Sequence, residues 1–111
     1  MTSWTFESKE VAKNFDKHVR EQLPWYDMLT DAVVYITRNY LTEGNKVVDI
    51  GASTGNLSKK LLPLAEERKG RVLAIEKSLQ MCCEMNDMED VGVMHADITE
   101  IDIPEAQVYI L

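Results

Sequence analysis

The stretch KVVDIGASTGNLSKKL, Lys46 to Leu61, decides the fold. Two valines and an isoleucine in five residues have the composition of a short buried strand. Gly51 ends that run, Gly55 follows after three residues, and residues 56–67 read as a helix. A glycine turn between a strand and a helix lets backbone approach a ligand and points the helix's free N–H groups at it. The spacing narrows the guest. Gly51-x-x-x-Gly55 is neither the G-x-G-x-x-G of a dinucleotide site nor a P-loop, because no Gly-Lys-Ser/Thr follows. Asp49, two residues before the first glycine, puts a carboxylate where a pyrophosphate would need the opposite charge.

Downstream, the pattern alternates. Strands are expected over 71–76, 91–96 and 107–111, with a helix over 79–88. Strand, helix, strand, helix, strand implies a parallel sheet with right-handed crossovers. Upstream, residues 7–23 read as a helix with Val11, Phe15 and Val19 on one stripe, ended by Pro24. Residues 26–41 read as a second helix, with Leu29, Val33, Ile36 and Tyr40 as its apolar face, and 42–45 as a turn. The expected organisation is a helical cap over 1–45 and a ligand-binding half-domain over 46–111. A doubly wound sheet normally has two halves. Here one half and a single further strand are present, so the fourth strand, VYIL, is expected to offer an edge. A missing C-terminal half or a second copy would fill it.

Two more acids stand at strand ends. Glu76 closes VLAIE, about 20 residues past the glycine turn, where a carboxylate can take both hydroxyls of a ribose. Asp97 follows the third strand, and its side chain or the Ile98 N–H can reach a base edge. Three successive strand ends thus line one crevice at the carboxyl edge of the sheet, where ligands bind in this architecture.

Composition bounds the rest. The chain has 111 residues and a formal net charge of −7. Residues 1–60 hold eight basic and eight acidic side chains, and 61–111 hold four and eleven. The acidic second half is not a nucleic-acid surface. Lys9, Lys13, Lys17 and Arg20 read as a solvated helix face. No apolar run is long enough for a membrane span, and the N-terminus lacks a signal-peptide pattern, so a cytoplasmic protein is expected. Cys82 and Cys83 are adjacent and read as reduced thiols, at least one of them in the core. The run Met81 to Met88 reads as core filler rather than a metal site, and His18 and His95 as non-catalytic. Asp87, Glu89, Asp90, Asp102 and Glu105 read as solvated.

VVDIGASTGN, VLAIEKS and HADI, in this order, resemble the S-adenosylmethionine-binding motifs of class I methyltransferases. NFDKHVREQLPWYDML, residues 14–29, is similar to the helical cap of the carboxy-S-adenosylmethionine synthase branch, which also carries a serine where Ser53 stands. The resemblance implies a Rossmann-like fold, truncated to about four parallel strands behind a helical cap, with S-adenosyl-L-methionine as cofactor. It implies that Tyr26 helps hold the methionine end and that Asp49, Gly51, Ala52, Ser53 and Gly55 form its seat. Glu76 would grip the ribose with Lys77 beside it, and Asp97 and Ile98 would meet the adenine. This sequence departs in having Glu76 for the branch's aspartate and Trp25 for its glycine. The branch's ligand-binding arginine belongs to a C-terminal half beyond residue 111. The implied function is methyl transfer to an unidentified acceptor, with no catalytic residue assigned. The alternative is a non-catalytic binding or assembly module that oligomerises through the fourth strand.

Overall fold

The computed structural model describes residues 8–111. Four strands form one sheet: β1 (Lys46–Ile50), β2 (Arg71–Glu76), β3 (Val91–His95) and β4 (Val108–Ile110). Their order is β3-β2-β1-β4 and every pairing is parallel. Val47 lies opposite both Val72 and Val108, and Val72 opposite Val91, so the branched side chains stack across one face. Parallel neighbours require crossovers. α3 (Asn56–Glu67) makes the first and α4 (Leu79–Glu84) the second.

The core lies between that face and the helices. Val47, Val72, Ala74 and Val91 pack with Leu61, Leu64, Ala65, Cys82 and Met85. Each large apolar side chain buried there stabilises the fold by roughly 1.5–3 kcal/mol. Asp49 shares this face and is tied to α3, because Ser58 Oγ donates to its Oδ2 at 2.7 Å. On the opposite face Val48 and Ile75 are fully buried. The chain returns from β3 to β4 without a helix.

Two cap helices precede the sheet. α1 (Lys9–Gln22) is N-capped by Ser8, whose hydroxyl accepts from Val11 N–H, and it ends before Pro24 as expected. The expected start at Glu7 lies outside the described residues. α2 (Tyr26–Thr37) is shorter than expected, since residues 38–40 turn. Its apolar stripe also points the other way. Leu29, Ile36 and Tyr40 are exposed, whereas Thr30, Thr37 and Leu41 are buried. The threonines satisfy themselves within the helix. Thr30 Oγ1 donates to Asp27 O at 3.0 Å and Thr37 Oγ1 to Val33 O at 2.8 Å, which frees their methyl groups to pack. Lys60 of α3 fixes this orientation by donating to Thr30 Oγ1 at 2.8 Å and pairing with Asp31 at 2.9 Å.

Two other boundaries move. α4 stops at Glu84 rather than Met88, the chain turning there while Met85 remains buried. β4 is three residues long and pairs only with β1 among the described residues. Cys82 is buried and Cys83 exposed, and neither forms a disulfide. Among the described residues no helix is long and apolar enough to cross a membrane, and no group of three or more His, Cys, Asp or Glu could hold a metal ion.

Candidate functional site

The loop after β1 rises over the carboxyl edge of the sheet. Gly51 has φ +72°, Ser53 +57° and Gly55 +85°. Left-handed backbone at three positions out of five makes the turn tight. Space around Gly51 is open, so its place is held for conformation and for whatever approaches it. Gly55 is different, because a Cβ there would run into Met85 and Met88. Ser53 adopts the same left-handed conformation with a side chain, a strained choice for a non-glycine residue.

Where the loop's N–H groups go decides what it can hold. Gly51 and Ala52 donate to Ile75 O at 2.8 and 3.1 Å, and Ser53 donates to Glu76 Oε1 at 2.7 Å. These three donors are spent inside the protein. The loop is therefore not a nest for an anion, in keeping with the absence of a P-loop lysine.

Glu76 is the hub of the edge. It is buried, its Oε1 takes Ser53 N–H and its Oε2 takes Ser78 N–H at 2.8 Å. A carboxylate has about four acceptor sites, so two directions remain for hydroxyl donors from a ligand. Ser78 then caps α4, its hydroxyl accepting from Met81 N–H. Glu76 thus joins the glycine loop to the next helix and faces the crevice between them.

Gly51, Glu76, Lys77, Asp97 and Ile98 line one cavity of about 150 Å³ with Ile50, Ile75 and Ala96. Sequence reasoning named the five and missed the three. The missed residues are apolar, and their signal is that each neighbours a named one in sequence. A ligand pocket for a drug-sized molecule spans roughly 300 Å³ or more, so this slot suits one flat ring while the remainder of a ligand lies along the open edge. Asp97 is pre-set: Thr99 hydroxyl and N–H donate to its Oδ1 at 2.6 and 2.9 Å, and Lys77 Nζ lies 3.6 Å from Oδ2. The Thr99 bonds first, and Lys77 after them, hold its carboxyl below the usual aspartate range.

Asp49 does not line that slot. It is 4% exposed, and burial pushes its carboxyl up, opposed by the Ser58 bonds and reinforced by the nearby Glu76 charge. Tyr26 is half-buried at the start of α2. Burial raises its hydroxyl, a bond with Asn56 opposes this, and the charges of Arg20, Asp16 and Asp49 all reach it. Arg20 lies 5.5 Å from the Tyr26 ring centre and pairs with Asp27 at 2.9 Å at the solvent-exposed surface. Trp25 is half-exposed.

Asp16 was not anticipated. Its Oδ1 accepts from Thr54 Oγ1 and from Asn56 Nδ2, the latter at 2.9 Å, which ties α1 to the loop and to the start of α3. The signal was indirect. α3 begins at a glycine cap with no side-chain cap and no acid in its first turn, so a compensating carboxylate has to come from elsewhere.

Comparison with known proteins gives a consistent result. The FtsJ-like methyltransferase family matches residues 34–108. The carboxy-S-adenosyl-L-methionine synthase of Staphylococcus epidermidis is 28% identical over 106 residues, covering 93% of this chain and 46% of that protein. The enzyme of the same name from Shewanella denitrificans is 28% identical, covering 100% and 48%. The chain therefore spans about half the length of the curated relatives it matches. Among solved structures, a SAM-dependent methyltransferase from Aquifex aeolicus superposes with TM-score 0.61 at 23% identity, covering 87% of this chain and 51% of that one. Coclaurine N-methyltransferase, bound to N-methylheliamine and SAH, superposes with TM-score 0.52 at 26% identity, covering 68% and 24%. The expected Rossmann-like fold of class I methyltransferases is the fold of these neighbours.

Proposed function

The chain belongs to the FtsJ-like methyltransferase family, and we propose on that footing that it binds S-adenosyl-L-methionine across the carboxyl edge of its sheet for methyl transfer to an acceptor. The observation that carries this is the single cavity that gathers Gly51, Glu76, Lys77, Asp97 and Ile98 from three strand ends. Ile50, Ile75 and Ile98 supply apolar walls for the adenine. Glu76 has two acceptor directions left for the ribose hydroxyls. Ala52, Ser53 and Gly55 seat the sulfonium and methionine beside Tyr26 and Asp49. The loop's spent N–H groups fit a ligand that carries a sulfonium and an amino-acid tail rather than phosphates.

Methyl transfer depends mainly on aligning the acceptor behind the methyl carbon. The residues described here hold the donor, and none of them is assigned to the acceptor. In this organisation the cap, described from residue 8, runs to residue 45, and 46–111 is the cofactor-binding half. Calorimetry with S-adenosylmethionine and S-adenosylhomocysteine tests the reading, with saturable heat at one ligand per chain as the expected result. Absence of heat at millimolar ligand with a folded sample overturns it.

A second reading is favoured by one observation: β4 pairs with β1 alone among the described residues. In that reading the chain binds the cofactor as an assembly module, pairing through this edge. Light scattering at increasing concentration separates the two, since a chain that stays monomeric removes self-assembly.

A further inference from the structure

We infer that Asp16, on the first cap helix, recognises the α-amino-acid tail of the adenosylated ligand, an inference that rests on the cofactor reading above. Successive loop residues face opposite ways. Ser53 N–H goes to Glu76 on the nucleoside side, and the next side chain, Thr54, goes to Asp16 on the cap side. The loop is therefore flanked by two carboxylates, one at each end of the crevice.

The Asp16 carboxylate is held by one oxygen only. Thr54 hydroxyl and Asn56 amide both donate to Oδ1, while Oδ2 takes no hydrogen bond among the described residues. The Tyr26 hydroxyl lies near Asn56, in the field of both Asp16 and Asp49. Arg20 pairs with Asp27 through two bonds of 2.9 Å and donates to the Asp16 backbone carbonyl at 3.0 Å, so it lies in the field of the Asp16 carboxylate without bonding its oxygens. A carboxylate oxygen held in place near a phenol fits a small cation that donates hydrogen bonds. A primary ammonium has that chemistry, and a phosphate is repelled by it. The tail of S-adenosylmethionine carries such a group, and its adenosine does not. Asp16 is thus a specificity-determining residue: it rewards a ligand that has the amino acid as well as the nucleoside.

The test uses two ligands that share the adenosine. S-Adenosylhomocysteine carries the amino-acid tail, and 5′-methylthioadenosine lacks it. Asp16→Asn keeps an acceptor for Thr54 and removes the charge. Titration calorimetry should show S-adenosylhomocysteine weakened about tenfold, the scale of one charge-assisted hydrogen bond, with methylthioadenosine changed by less than about twofold. Equal losses for both ligands overturn the inference, because a merely structural residue acts on both. No loss for either overturns it as well. Thr54→Val, which removes one of the two bonds that aim the carboxylate, should weaken S-adenosylhomocysteine alone by about threefold. If Asp16→Asn fails to fold, Thr54→Val decides, and parallel losses there count against Asp16. Wild-type protein that binds neither ligand overturns the cofactor reading and this inference together. Every other outcome leaves the cofactor reading standing.

Discussion

At the end of the crevice proposed for the nucleoside, each polar group comes from a strand end or from a residue or two past it: Gly51 after β1, Glu76 closing β2, Asp97 after β3. At the tail end, Asp16, Tyr26, Thr54 and Asn56 come from two cap helices and the loop, with Asp16 and Asn56 40 residues apart. Sheet register sets the first group, because parallel pairing of β1, β2 and β3 places those positions side by side. The second group exists only while the cap is docked. It docks through buried Ala12, Thr30, Thr37 and Leu41 and through ion pairs, Lys60 on Asp31 and Asp27 and Arg38 on Glu67 at 2.7 Å. Exposed ion pairs are each worth roughly 0–1 kcal/mol. The proposed nucleoside end therefore rests on sheet register and the proposed tail end on the packing of the cap helices.

The variant with the largest expected effect tests that difference by striking the residue placed at the proposed nucleoside end. Glu76→Ala removes the carboxylate proposed for the ribose and orphans the N–H groups of Ser53 and Ser78. Losing hydrogen bonds to a charged group costs about 1.5–3 kcal/mol in binding. S-Adenosylhomocysteine and methylthioadenosine should weaken together in calorimetry, in contrast with the selective loss expected of Asp16→Asn. A loss confined to the ligand with the tail would show that the two ends are not separable in this way.

The same asymmetry governed what could be read from the sequence. KVVDI, residues 56–67 and RVLAIE appear with the expected bounds, because a branched apolar run next to glycine has few other solutions. The strand-end acids follow from those bounds. The cap was legible as helices but not as faces. Counting apolar residues puts Leu29, Ile36 and Tyr40 inside, whereas the buried positions are Thr30, Thr37 and Leu41. Two threonines back-bonded to their own helix behave as apolar residues, and no periodicity of hydrophobic letters reports this. Asp16 was illegible for a related reason. Its partners lie on other elements, and a helix aspartate flanked by lysines looks like any solvated position.

A smaller effect is expected of Asp49→Asn, which probes how the tail end acquires its charge. Burial raises the Asp49 pKa above that of an unfolded aspartate, near 3.9. A carboxyl raised in this way favours the folded state while protonated, and that contribution is lost as pH rises through the folded value. Asparagine carries no such charge and retains an acceptor for Ser58. The variant should therefore gain stability relative to wild type as pH climbs from about 4 to above the raised value, and the gain should then level off. Asp97, whose pKa is lowered, works with the opposite sign and loses its contribution as pH falls. Thermal melts of both proteins across that range test the claim. A difference that grows toward acid would show that Asp49 is stabilised as an anion. At neutral pH the stabilised variant should bind S-adenosylhomocysteine less tightly, as expected where a buried charge is kept for a ligand.

The smallest effect belongs to Ser53→Gly, at the boundary between the two ends. Ser53 has φ +57°, and left-handed backbone with a side chain costs about 1–2 kcal/mol. Glycine relieves that cost, but it gives the unfolded chain more freedom, worth roughly 0.4–1 kcal/mol in the opposite sense. The net change in stability should stay within about 1 kcal/mol by denaturant titration. Binding should change even less, since the bond from Ser53 to Glu76 uses the backbone N–H, which glycine keeps. If the serine hydroxyl also touches the ligand, the side it touches will be visible: a loss for S-adenosylhomocysteine alone assigns it to the tail with Asp16, and a loss for both ligands assigns it to the nucleoside with Glu76.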